Sequence, residues 1–109
     1  MSFDLAPLKS SDWPMDIADM HAKFGVNDWQ YENKNDKELM QKYIQFRMAM
    51  IQEEVDETNA AIVTGNPEEI VDGLIDMCVF AIGTLNVFGM DSQKAWDAVH
   101  NANMAKVPG

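Results

Sequence analysis

The chain has 109 residues, a single Cys, 8 Lys and Arg against 18 Asp and Glu, and a formal charge of −10. A chain of this length is expected to form one domain, residues 1–109, with a modest core of its own. The balance of 47% hydrophobic and 24% charged residues excludes a disordered protein. The charge excludes a binder of polymeric nucleic acid, which needs clustered Lys and Arg. One Cys makes no internal disulfide, which points to a reducing, cytoplasmic setting. No basic start followed by an apolar run and a cleavage site is read, so no signal peptide is expected.

In chain order, residues 1–12 read as an irregular lead-in. Ser11 or Asp12 caps a first helix, Pro14 suits its first turn, and Gly25 ends it after Phe24. Residues 25–35 are polar apart from Val26, Trp29 and Tyr31 and read as a loop. Asn35 or Asp36 starts a long second helix that runs to about Val63 and stops at Gly65. The string Asn66-Pro67-Glu68-Glu69 is a strong start signal: a cap, a Pro at the first position, and acids at the positive helix end. The third helix runs to about Phe88 and ends at Gly89. Asp91 or Ser92 caps a fourth that ends near Ala105. The expected fold is all-α, a bundle of four helices.

On the second helix Met40, Ile44, Met48, Ile51, Val55 and Ile62 recur at helical spacing and define one apolar face. The third is apolar all round; from Gly73 to Met90 its ionisable groups are Asp76 and the Cys78 thiol. A membrane span is read against, because Asp76 is costly in lipid and no polybasic flank sets an orientation. A helix apolar on every side needs covering, and three other helices are too few. A homodimer or homotetramer built on the second and third helices is therefore expected.

The acids are concentrated in two strings. Glu53, Glu54 and Glu57 lie in EEVDE on the second helix. Glu69, Asp72 and Asp76 lie in EIVDGLID on the third, at offsets that share one face. The turn at Gly65 folds the two helices antiparallel, so the stripes can face each other. An acidic run is often only a solvated face, and acids at a helix start often only complement its dipole. Glu54 and Asp76 sit among apolar neighbours, where an unpaired carboxylate is costly. Arg47 is the one basic residue between Lys42 and Lys94. A hard divalent cation with oxygen ligands, Mg²⁺ with Mn²⁺ as the alternative, is the economical compensation. One Glu-x-x-His-like pair, Asp97 and His100, is too little for a di-iron bundle, and no EF-hand loop or Cys/His zinc spacing is present.

With EEVDE followed by EIVDGLIDMCVFAIGTL, the sequence resembles the all-α nucleoside triphosphate pyrophosphohydrolases of the MazG type. It is most similar to their phosphoribosyl-ATP pyrophosphohydrolase-like branch, which also shares MHAKFGV near the start and VHNANMAK near the end. The four segments in order span about residues 15–106. The resemblance implies a Mg²⁺ site built from EExxE and ExxD. Glu53, Glu54 and Glu57 match the first motif, Glu54 and Glu57 as direct ligands. Asp76 matches the second, but Gly73 stands where its Glu belongs. Asp72 takes that place, and the literal ExxD is Glu69 to Asp72, one turn back. Asn103 and Lys106 match residues that contact the nucleotide and its phosphates.

The implied reaction is hydrolysis of a deoxynucleoside triphosphate, a purine such as dGTP as the first guess, between the α and β phosphates. Glu53 and Glu54 are the catalytic candidates, Glu53 to orient the water. Arg47 and Lys106 would neutralise phosphate charge, and His21, Phe24 and Trp29 are candidates for the base slot, each weighed against ordinary packing. Two alternatives stand beside this reading: a non-catalytic acidic module for a basic partner protein, and hydrolysis of phosphoribosyl-ATP.

Overall fold

The structure, a computed structural model, describes residues 10–108. It is all-α, with α1 Trp13–Lys23, α2 Val26–Asn33, α3 Lys37–Thr64, α4 Pro67–Val87 and α5 Ser92–Met104. Residues 1–9 of the expected lead-in lie outside the described residues.

Local chemistry sets most of these boundaries. Asp12 caps α1 by accepting from the Met15 amide at 3.0 Å, and Asp36 caps α3 from Leu39 at 3.0 Å. Asn66 caps α4 from Glu69 at 3.2 Å, and Asp91 caps α5 from Lys94 at 3.0 Å. Each such cap contributes about 1 kcal/mol. Gly65, at φ 68°, turns the chain out of α3, and its neighbour Asn66 donates back to the Ala61 carbonyl at 3.0 Å. That closure folds α4 back onto α3.

The expected loop at residues 25–35 is a correction: it holds α2, making five helices among the described residues rather than four. Gly25, at φ 75°, ends one helix and directly begins the next. Val26, Trp29 and Gln30 then turn one face inward, and the Asn33 side chain donates to the Trp29 carbonyl at 2.8 Å. Trp29 stacks on Tyr43 of α3, ring centres 4.7 Å apart.

On α3 the apolar stripe Met40, Ile44, Met48, Ile51, Val55 and Ile62 is only partly covered: Met40, Ile51 and Val55 are half-buried, and Ile44, Met48 and Ile62 are exposed. The seam against α4 lies about a quarter turn away, along Tyr43, Arg47, Met50, Glu54, Thr58 and Ala61. Size explains this choice. Gly73 and Gly83 of α4 bring its backbone close: a Cβ on Gly73 would collide with the Thr58 hydroxyl, and one on Gly83 with the Arg47 guanidinium. The helices thus meet where one partner has no side chain.

Arg47 is buried in this seam. Its Nε donates to Thr84 Oγ1 at 3.0 Å and one terminal nitrogen donates to the Phe80 carbonyl at 3.1 Å. The Phe80 ring lies 5.5 Å from the guanidinium. His21 of α1 is also buried, with Nδ1 2.7 Å from Asn86 Oδ1, and this contact fastens α1 across α4. Among the described helices α4 is the one long and apolar enough to cross a membrane, with a mean hydropathy of 1.7 over its best stretch. Here it packs along α3 and α1.

Candidate functional site

The antiparallel pairing of α3 and α4 brings the two acid strings together. Glu54 and Glu57 from α3, and Glu69, Asp72 and Asp76 from α4, line one open cleft of 260 Å³ floored by Gly73. At about 100° per residue, Glu54 and Glu57 share the α3 edge of the seam, while Glu69, Asp72 and Asp76 share the facing edge of α4. The Thr58 hydroxyl, donating to the Glu54 carbonyl at 2.7 Å, fills the space under the cleft. Gly73 stands where the resemblance calls for a Glu, and the contact with Thr58 gives the reason. No side chain fits there, and the acids of α4 come instead from Asp72 just before it and from Glu69 and Asp76 about one turn away on either side.

The cleft is electrostatically uncompensated. The Glu54 carboxyl is pushed above its ordinary value, first by loss of solvent and then by the charges of Glu57, Asp76, Glu53 and Asp72. Asp76 is raised by burial and then by Asp72. The ion pair found among the described residues, Lys42 to Glu38 at 3.6 Å, is exposed and elsewhere on α3. Among the described residues no three Asp, Glu, His or Cys side chains converge tightly enough to chelate a cation as they stand. The carboxylates line the walls and keep apart, as like charges do.

The donor set is chemically suited to one class of ligand. It consists of carboxylate oxygens from two helices, and among the described residues its lining has no sulfur, imidazole, Lys or Arg. Hard divalent cations prefer such oxygens, and a cation would relieve the repulsion that raises Glu54 and Asp76.

The other candidates fall elsewhere. Glu53 is exposed and is not among the cleft-lining residues, although its charge acts on Glu54. Arg47 spends two of its donors inside the helix seam, about 10 Å along α3 from Glu54. His21 is committed to Asn86. Phe24 and Trp29 do share a cleft, of 370 Å³, whose further lining residues are Gly25, Val26 and Tyr43. Tyr43 was not singled out in the sequence, since its role depends on α2 docking beside α3. About 16 Å of α3 separates it from Glu54. Asn103 and Lys106, at the exposed end of α5, bond to each other, Lys106 Nζ donating to Asn103 Oδ1 at 3.1 Å. Neither lines the acid cleft.

The sequence pattern described as Phosphoribosyl-ATP pyrophosphohydrolase matches residues 18–103. That span contains both acid strings and all five helices but for the two ends. No curated protein and no solved structure matches the chain.

Proposed function

The chain belongs to the phosphoribosyl-ATP pyrophosphohydrolase family, MazG-like all-α hydrolases acting on nucleotide pyrophosphate bonds, and from that premise we propose that it is a Mg²⁺-dependent enzyme cleaving a deoxynucleoside triphosphate between the α and β phosphates. The products are the monophosphate and pyrophosphate, and a purine nucleotide such as dGTP is the first candidate. The observation that carries this reading is the meeting of Glu54, Glu57, Asp72 and Asp76 in one cleft whose lining, among the described residues, holds no Lys or Arg.

Those four carboxylates would hold the metal, with Glu69 at the cleft's edge. When bound, Mg²⁺ offsets the triphosphate's charge and lowers the pKa of a coordinated water. The remaining work falls to the chain's own side chains. Glu54, central in the seam, takes the role of accepting the water's proton at its carboxylate. Glu53 faces solvent and acts on Glu54 through its charge. The aromatic cleft of Phe24, Trp29 and Tyr43 offers ring faces for a base. His21 and Arg47 hold α1 and α3 against α4 and so position those walls. Asn103 and Lys106, bonded to each other at the end of α5 and outside the cleft, would offer an amide and a cation only to a phosphate that reaches that end.

A second reading is favoured by the description of the matched family: phosphoribosyl-ATP as the substrate. Both substrates release pyrophosphate from an adenylate- or nucleotide-type triphosphate, and differ in what the base and sugar carry. The deciding experiment incubates the purified protein and Mg²⁺ with each canonical dNTP, a set of modified dNTPs and phosphoribosyl-ATP, and identifies the products. Pyrophosphate and a monophosphate from one of the dNTPs support the first reading. Selective turnover of phosphoribosyl-ATP selects the second. No release from any of them, at high enzyme, overturns both.

A further inference from the structure

We propose that Trp29 gates the base slot: in the free chain its ring lies on Tyr43 in the place of the base, and α2 swings outward about Gly25 to let the base in between the two rings. This rests on the assignment of the aromatic cleft to the nucleotide base, and it concerns how that slot is entered.

Trp29 and Tyr43 have ring centres 4.7 Å apart and planes inclined by 36°, the contact distance of an aromatic pair. A flat base held between two rings needs one stacking interval on each side, about 3.4 Å each and so about 7 Å from ring to ring. The pair is therefore about 2 Å too close to hold a base. One of the two rings must give way.

Tyr43 is the fixed one. It belongs to α3, which packs along α4, and two further rings, Phe46 and Phe88, stand with their centres 6.3 Å from its own. Trp29 belongs to a helix that is loosely held. Helix α2 has eight residues, none of them fully buried. The other four helices each begin with a side chain that caps a backbone amide, and α2 does not. Its inward face, Val26, Trp29, Gln30 and Asn33, is only half-buried. The side-chain hydrogen bond on that face, from Asn33 to the Trp29 carbonyl, stays within α2. Among the described residues no side-chain hydrogen bond or ion pair ties α2 to α3 or α4.

Gly25 supplies the joint. It stands at φ 75° as the one residue between Phe24, where α1 ends, and Val26, where α2 begins. An added Cβ would meet nothing within 4 Å there, so the glycine answers to its backbone conformation and not to crowding. Four residues earlier His21 is fastened to Asn86 at 2.7 Å, which keeps α1 in place while the chain beyond it turns. A few such element-terminal residues are enough to absorb a hinge movement. Trp29 lies about 6 Å along α2 from Gly25, so a rotation of about 20° opens the missing 2 Å or so. Gly25 and Val26 also line the aromatic cleft, and the hinge is thus part of the wall it moves. Once the base is in, Trp29 settles on its outer face, and the ring that barred entry becomes half of the sandwich.

The chain has three Trp. Trp13→Phe combined with Trp96→Phe leaves Trp29 as the sole emitter in a full-length protein, and both replaced residues are exposed and line neither the aromatic nor the acid cleft. The probe is the α,β-methylene analogue of the nucleotide that the protein turns over fastest, mixed rapidly with protein and Mg²⁺. Binding should quench Trp29 emission at least about twofold, and the observed rate should level off at high nucleotide, at the rate of α2 opening. Val26→Ala removes the other apolar foot of α2 and leaves both rings in place; it should raise that plateau at least about threefold. A rate that climbs in proportion to nucleotide without levelling overturns the proposal, as does a plateau that Val26→Ala leaves unchanged. A protein that turns over a nucleotide while Trp29 emission stays constant on binding loses the gate and keeps the enzymatic reading. One that neither binds nor turns over any nucleotide loses both.

Discussion

The backbone of Gly73 lies against the side chain of Thr58 with no room for a single added carbon. This contact sets the spacing of α3 and α4 beneath the acid cleft, and it defines a first prediction. Gly73→Ala gains up to about 1 kcal/mol of helix propensity but overfills the seam, at a cost of about 1–3 kcal/mol. The net effect expected is destabilisation, read as a lower urea midpoint. Adding Thr58→Ala should recover part of it, so that the two changes are non-additive. A Gly73→Ala protein as stable as wild type would show that the seam is looser than described.

Arg47 separates a structural role from a substrate role. Its bonds to Thr84 and Phe80 predict that Arg47→Met destabilises by about 2–3 kcal/mol, the cost of losing charge-assisted bonds in a buried site. Under conditions where the variant remains folded, KM for the nucleotide should change less than threefold. A large rise in KM with unchanged stability would return Arg47 to the phosphates.

The two adjacent glutamates should behave differently. Glu54→Gln and Asp76→Asn are expected to lower kcat/KM by about 100-fold or more, as removal of a metal ligand or proton acceptor does. Glu53→Gln removes a charge outside the cleft and should cost less than about tenfold. Steady-state kinetics on the three variants checks the order. Glu53 matching Glu54 in effect would mean that the seam is rotated by one residue.

Raised carboxyl values have a signed consequence for stability. Glu54 and Asp76 lie above their ordinary 4.5 and 3.8 in the folded chain, so the folded state binds more protons than the unfolded one. Their contribution is fully present below about pH 4 and is lost as pH rises through the folded values. Without divalent cations, wild type should therefore lose Tm relative to Glu54→Gln between about pH 4 and pH 7. Millimolar Mg²⁺ should restore wild type and leave the variant little changed. A difference that grows in favour of wild type as pH rises, in chelator, would contradict the assignment of the shifts.

The parts of the fold that were legible in the sequence are those written in local chemistry. Asp36, Asn66 with Pro67, and Asp91 announce helix starts because capping involves residues three apart. The all-α class and the pairing of the acid strings follow from spacing and one turn. Helix α2 was hidden because its asparagines and exposed Tyr31 dilute the apolar period, and its docking depends on Tyr43, which is remote in sequence. The exact line of the α3 seam was not legible for a different reason. Apolar content marks a face that can be buried, whereas α4 chose the face where its glycines could approach. Glu53 and Glu54 differ by about 100° around the helix. Which of them enters the cleft was fixed only once that face was known.

The hairpin of α3 and α4 also bears on kinetics. Glu54 and Asp76 stand 22 residues apart in the chain, joined by the two-residue turn at Gly65 and Asn66. Bringing the walls of the cleft together requires the closure of no long loop, and its entropic cost is small. The two walls belong to consecutive helices, so the cleft is assembled as soon as α3 and α4 pair. The repulsion among its carboxylates is then present from the earliest compact states, and a divalent cation in the refolding buffer should speed refolding as well as stabilise its end point.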